Sequence, residues 1–108
     1  MGRQLGEISY YAFNLPSIEF HNELYGYLQE KELKFTEIDI ENYFISKSIS
    51  KNKQWIKLDR NGIAQPVYDV TLMTYIRNSI HHPENTLNAN FSDEELKESI
   101  EKMIPLAR

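Results

Sequence analysis

The segment that most narrows the fold is "FSDEELKESIEKMIPL", residues 91–106. Ser92 followed three positions later by Glu95 is a capping box, in which the serine hydroxyl and the glutamate carboxylate each accept from the other residue's backbone N–H. Phe91 and Leu96 stand where a hydrophobic staple forms across such a start. Leu96, Ile100, Met103 and Ile104 then recur at helical spacing, so one side of the helix is apolar and has to be covered. Pro105 is expected to end it. Asp93, Glu94, Glu95, Glu98 and Glu101 form an acidic side, expected to face solvent or a protein partner rather than nucleic acid. A helix this short draws its stability from packing, so the rest of the chain must supply matching apolar faces.

Several segments offer one. After Asn14-Leu15-Pro16-Ser17, which carries a capping side chain and a proline where a missing N–H costs nothing, Ile18, His21, Leu24, Tyr25 and Leu28 follow at helical spacing. His21 on that stripe is expected to be packed and hydrogen-bonded, and the charged run from Glu30 to Lys34 to be a solvated end. "FTEIDIENYFI" is ambiguous: Ile38 and Ile40 alternate as in a strand, whereas Ile40, Tyr43 and Phe44 fit a helix. A helix after Thr36 is favoured, because Asp39 falls where a capping partner sits. In "VYDVTLMTYIRNSIHH" the residues Val70, Met73, Ile76 and Ile80 line one helical face, with Leu72 and Tyr75 beside them, until Pro83 stops it. Only "KQWIKLDRNGIAQPVYDV" reads as a hairpin, with Trp55, Ile56, Leu58 and Ile63 flanking a turn that ends in Asn61-Gly62. Pro66 limits its second strand. Leu5, Ile8, Tyr10, Tyr11 and Phe13 show no clear period and fit either a short strand or a docked terminal segment. The expectation is a mainly α protein, a small helical bundle with one short β-hairpin, as a single domain over residues 1–108.

Composition removes several functions. No cysteine is present, which excludes disulfides, thiol chemistry and thiolate metal sites. The net charge of −4 argues against a surface that binds nucleic acid over its whole extent. No apolar run is long enough to cross a bilayer, and "MGRQLGEISYYAFNLP" has neither the apolar core nor the cleavage site of a secretory signal. A cytoplasmic protein without a membrane partner is expected, with no metal and no cofactor.

The stretch that points to chemistry is "YIRNSIHHPENTLN", residues 75–88, which holds two of the three histidines in the chain. Arg77-Asn78-Ser79-Ile80-His81-His82 has the form R-N-x-x-x-H, with a further histidine inside it. It resembles the signature of HEPN domains, in which an arginine, often followed by asparagine, precedes a histidine near a helix end. The match covers Arg77, Asn78 and His82; Glu84 stands where some relatives carry a tyrosine. The longer string "RNSIHHPENTLN…FSDEELKESI" is similar to the C-terminal effector regions of AAA or ABC-type ATPases of phage defence, although no Walker A loop occurs here. The resemblance implies a helical bundle acting as a homodimer, metal-independent RNA cleavage through the 2′-hydroxyl with transfer RNA among the substrates, and an ATPase or antitoxin partner.

The residues permit that chemistry on their own terms. Cleavage by a 2′-oxygen needs a base for its proton, an acid for the leaving 5′-oxygen and a cation for the phosphorane; imidazoles and a guanidinium supply these. Arg77 and His82 are the expected catalytic pair, with His81 and Asn78 in support. Helical geometry favours His81 as the partner of Arg77, four residues away, whereas the resemblance favours His82. A zinc site is disfavoured, since adjacent histidines diverge on a helix. The plainer reading is that Arg77, Asn78 and the histidines satisfy the last carbonyls of the helix, with Asn85 and Asn88 continuing that role in the loop. Lys51, Lys53, Lys57 and Arg60, with Lys47 nearby, form a basic stretch where an RNA backbone could rest, and Trp55, Tyr43 and Tyr68 could stack bases. Against this stands a solvated lysine face over core aromatics.

Overall fold

Every helix among the described residues starts where a short hydroxyl side chain stands in for a missing backbone partner. The computed structural model describes residues 17–108, and in it α1 spans Ile18–Glu32, α2 Glu37–Ser46, β1 Lys53–Trp55, β2 Tyr68–Val70, α3 Leu72–His81 and α4 Asp93–Ala107. The residues from Leu5 to Pro16, including the expected strand or docked segment, lie outside the described residues. Ser17, Thr36, Thr71 and Ser92 are the four N-caps, each accepting from the backbone N–H three residues on. At α4 the box closes both ways, with Glu95 N–H to Ser92 Oγ at 3.1 Å and Ser92 N–H to Glu95 Oε1 at 3.0 Å. The architecture is the expected one, mainly α with a two-stranded antiparallel hairpin.

The core joins the four helices. Leu24 and Leu28 of α1, Ile40 and Phe44 of α2, Met73 and Ile76 of α3, and Ile100 and Met103 of α4 are buried in one cluster. Full burial of such a side chain stabilises by about 1.5–3 kcal/mol, so this cluster dominates the fold. α1 and α4 make the most extensive contact, and β1 rests on α3. A second small cluster seats the hairpin there: Trp55 meets Tyr75 edge-on at 5.3 Å between ring centroids, beside Val70.

Two local expectations need correction. Pro105 does not end α4, which runs on to Ala107. The stripe through Ile104 and the partly buried Leu106 and Ala107 hold the last turn on the core, and Lys31 Nζ donates to the Leu106 carbonyl at 2.8 Å. Packing and a side-chain cap outweigh the one backbone bond that proline removes. Val70 belongs to β2 and not to the helix; Thr71 caps α3 one residue later. The hairpin stands where it was expected: a bridge pairs Leu58 with Ala64 beside the turn, and farther out the ladder pairs Lys53 with Val70, Gln54 with Asp69 and Trp55 with Tyr68. Beyond Trp55 the edge is diverted, because the Asn88 side chain takes both Ile56 N–H and Ile56 C=O, at 2.8 and 2.9 Å. At the tip Gly62 N–H returns to Asp59 C=O, and Gly62 has φ 77°, the left-handed geometry that closes a three-residue loop.

Candidate functional site

The site is set by how α3 is held at its start and released at its end. Glu37 and Glu41, four apart on α2, share a face that points at α3. Glu41 is buried and accepts three hydrogen bonds, from Thr71 N–H at 2.8 Å, Thr71 Oγ1 at 2.6 Å and Thr74 Oγ1 at 2.8 Å. A carboxylate here also complements the positive end of the helix dipole. Thr74 Oγ1 in turn meets the Tyr25 hydroxyl at 2.9 Å, which ties α1 into the same network.

One helical turn further on, Glu37 accepts from Tyr68 Oη at 2.8 Å and from Asn78 Nδ2 at 3.2 Å. Burial, then the hydrogen bond and charge of Glu37, raise the Tyr68 phenol above its ordinary range, so it stays a donor. The next residue, Arg77, lies with its guanidinium 4.7 Å from the centre of the Tyr25 ring. Its Nε donates to His81 Nε2 at 2.8 Å. An imidazole that accepts there is neutral and carries its proton on Nδ1, a tautomer inferred from the bond. Burial first, then the charges of Arg77 and His82, push the His81 pKa down and favour that neutral form. Among the described residues Nη1 of Arg77 is buried without a hydrogen-bond partner.

His82 caps α3 in a non-helical conformation, as a residue before proline prefers. It is exposed, and its Nδ1 lies 3.3 Å from Glu84 Oε2. His82 opens on a cleft of about 120 Å³ shared with Asn78, Glu37, Tyr68, Lys57 and Glu84. That space equals about four waters at liquid density, room for a compact polar group.

The sequence candidates therefore divide. Asn78, His82 and Lys57 meet at the cleft, while Arg77 turns to His81 and not to His82. Lys53 is engaged elsewhere, paired with Glu95 at 2.8 Å and lying 4.6 Å from the Tyr75 ring centre. Lys51 and Arg60 are exposed and do not line the cleft. Trp55 and Tyr43 are core residues with no face free for a base, and Tyr68 is half-buried against Glu37. The side chains of Asn85 and Asn88 hold the Ile56 backbone, while the Asn85 backbone N–H donates to the His82 carbonyl at the end of α3, at 3.0 Å.

Glu37 and Glu41 escaped the sequence reading, and Tyr68, expected there as a base-stacking ring, instead donates to Glu37. The available signal was the pair Glu37 and Glu41 flanking Ile40: a carboxylate beside a core position at helical spacing has to be paired. Among the described residues no group of three or more His, Asp or Glu is arranged to hold a metal ion, and no helix is long and apolar enough to cross a membrane. No protein-family model, curated protein or solved structure matches the chain, so its own geometry carries the functional reading.

Proposed function

We propose that the carboxyl end of α3 cleaves RNA without a metal ion, as an endoribonuclease-type effector of the toxin or phage-defence kind. The observation that carries this reading is the Arg77–His81 hydrogen bond of 2.8 Å, one residue from an exposed His82 on a polar cleft. A neutral imidazole is a weak acceptor for a guanidinium, and a phosphodiester oxygen is a stronger, charge-assisted one. When Arg77 moves to the phosphate it frees the His81 Nε2 lone pair. That nitrogen takes the proton of the 2′-hydroxyl as the 2′-oxygen attacks phosphorus. The bond from phosphorus to the 5′-oxygen breaks, and His82 in its imidazolium form protonates the leaving oxygen. The products are a 2′,3′-cyclic phosphate and a 5′-hydroxyl. Lys57 adds positive charge beside the cleft. In this reading the protein works in the cytoplasm as a homodimer, with transfer RNA among its substrates and an ATPase or antitoxin partner restraining it.

The test is cleavage of an RNA panel by purified protein in excess chelator, with end-group analysis of the products. His82→Ala and His81→Ala should each lower the rate by about 10²–10⁴-fold, the usual worth of a positioned acid or base. Cleavage that survives undiminished in both variants rules the reading out. A second reading, a non-catalytic interaction module such as the accessory domain of a defence ATPase, is favoured by the apolar corner between α1 and α2. There Leu33, Phe35 and Ile38 are 73%, 63% and 73% exposed, more than a surface without a partner needs. That reading expects no cleavage, indifference to His82→Ala and loss of partner binding in Phe35→Ala.

A further inference from the structure

Asn85 lines a second cleft as well, of about 420 Å³, bounded by Ser79 of α3 and by Pro83, Thr86, Asn88 and Asn90 of the following loop. The two clefts differ in kind. The first is walled by Glu37, Glu84, Lys57 and His82, whereas no residue lining the second has an ionisable side chain. Its volume lies within the range of small-molecule sites. Its walls are also fixed in advance. Asn85 Nδ2 and Asn88 Nδ2 both donate to the Ile56 carbonyl at 2.9 Å, Tyr75 Oη donates to the Ala89 carbonyl, and Ser79 Oγ donates to the Tyr75 carbonyl at 3.0 Å. A loop without regular secondary structure is thereby pinned to the hairpin and to α3.

From these observations we infer that the amide-lined cleft is a nucleobase subsite, seating the base of a nucleotide next to the phosphate that Arg77 and His82 address. The inference rests on the RNA reading above and gives it base selectivity. A free phosphate or carboxylate would find no counter-charge among these walls, whereas a neutral base offers the donors and acceptors that amides match. Pro83 joins the two clefts directly, since it follows His82 in the chain and lines the second. With the amides of Asn85 and Asn88 committed to Ile56, Asn90 is the exposed amide on the cleft. One carboxamide presents a donor and an acceptor side by side, the pair that a base edge such as that of adenine complements. Thr86 adds a hydroxyl at the rim.

Trinucleotides with 2′-fluoro sugars, which lack the attacking hydroxyl, test this by calorimetric titration into the full chain with only the central base varied. One base should bind about tenfold tighter than the weakest, and Asn90→Ala should bring all four within about twofold of one another. The melting temperature of Asn90→Ala should match the parent, since the side chain is exposed. Equal binding of all four bases, no binding at all, or a preference unchanged in Asn90→Ala overturns the inference. Cleavage is read separately. A protein that discriminates bases but cuts no RNA keeps the subsite and loses the chemistry; one that cuts RNA without base discrimination does the reverse.

Discussion

α3 is two different objects joined end to end. Residues 71–76 are all buried, capped by Thr71 and bonded through Thr71 and Thr74 to the Glu41 carboxylate. From Arg77 onward exposure rises step by step, until His81 and His82 are exposed. The polar groups of the first half are satisfied by protein; those of the second half are only partly so, with Arg77 Nη1 unpartnered among the described residues. The difference shows how a small domain positions chemistry. Rigidity is concentrated one turn upstream, so the residues at the helix end hold their geometry without being buried themselves.

Breaking the upstream half should have the largest effect. Glu41→Ala leaves the Thr71 N–H and two hydroxyls without their acceptor in the core, at a cost of about 3 kcal/mol or more. Urea unfolding of the variant measures this, and a loss below about 1 kcal/mol would mean that the carboxylate does not anchor the helix.

A second effect comes from the other buried polar link. His21 is fully buried on α1 with Nε2 2.7 Å from Ser99 Oγ of α4. Burial pushes its pKa down to about 4, with Asn22 opposing and the Arg77 charge adding to the fall. In the unfolded chain the group returns to the ordinary histidine value of 6.5. The unfolded state therefore binds more protons between these values, and stability falls as pH drops below the upper one. The expected loss is about 2 kcal/mol by pH 5, in a window above the range where most carboxylates titrate. Unfolding curves at neutral pH and pH 5 should show it, and His21→Leu should flatten the slope. A parent protein equally stable at both pH values would show that His21 does not stay neutral in the fold.

Legibility in the sequence follows the same division. Caps and apolar stripes are local, so the starts of α2 and α4 and the core faces could be read from spacing alone. The Arg77–His81 contact is also local, four residues along one helix, and the helical spacing alone points to it. What stayed hidden depends on residues far apart in the chain. Glu41 meets Thr71 only once α2 packs on α3, and Asn88 reaches Ile56 across 32 positions. Proline at 105 has a strong local tendency to stop a helix, but the local rule lost to burial of Ile104 and to a lysine from α1. Lys53 looked like part of a basic surface until Glu95 of α4 claimed it.

The exposed half of α3 should be far more tolerant, and the next effect sits at its boundary. Arg77→Ala removes a half-buried guanidinium from the Tyr25 ring and its aliphatic stem from the helix surface, at a cost of about 1 kcal/mol. The same variant should soften the pH slope below 6.5, because the Arg77 charge contributes to holding the His21 pKa down. An unchanged slope would mean that the two groups do not sense each other.

The smallest effect is the one that separates chemistry from architecture. Among the described residues the His82 side chain makes one polar pairing, a 3.3 Å approach to Glu84 in which both partners are more than half exposed. Exposed pairs of this kind contribute little, so His82→Ala should shift stability by less than about 0.5 kcal/mol. His81→Ala should behave alike, since its bond to Arg77 is at the surface. Had the side chains of these residues, and not only the His82 backbone, capped the helix, each substitution would have cost about 1 kcal/mol. Melting curves of the two variants beside that of Glu41→Ala test the contrast directly. If His82→Ala melts as low as Glu41→Ala, the end of α3 is part of the scaffold, and its histidines are there to hold the fold.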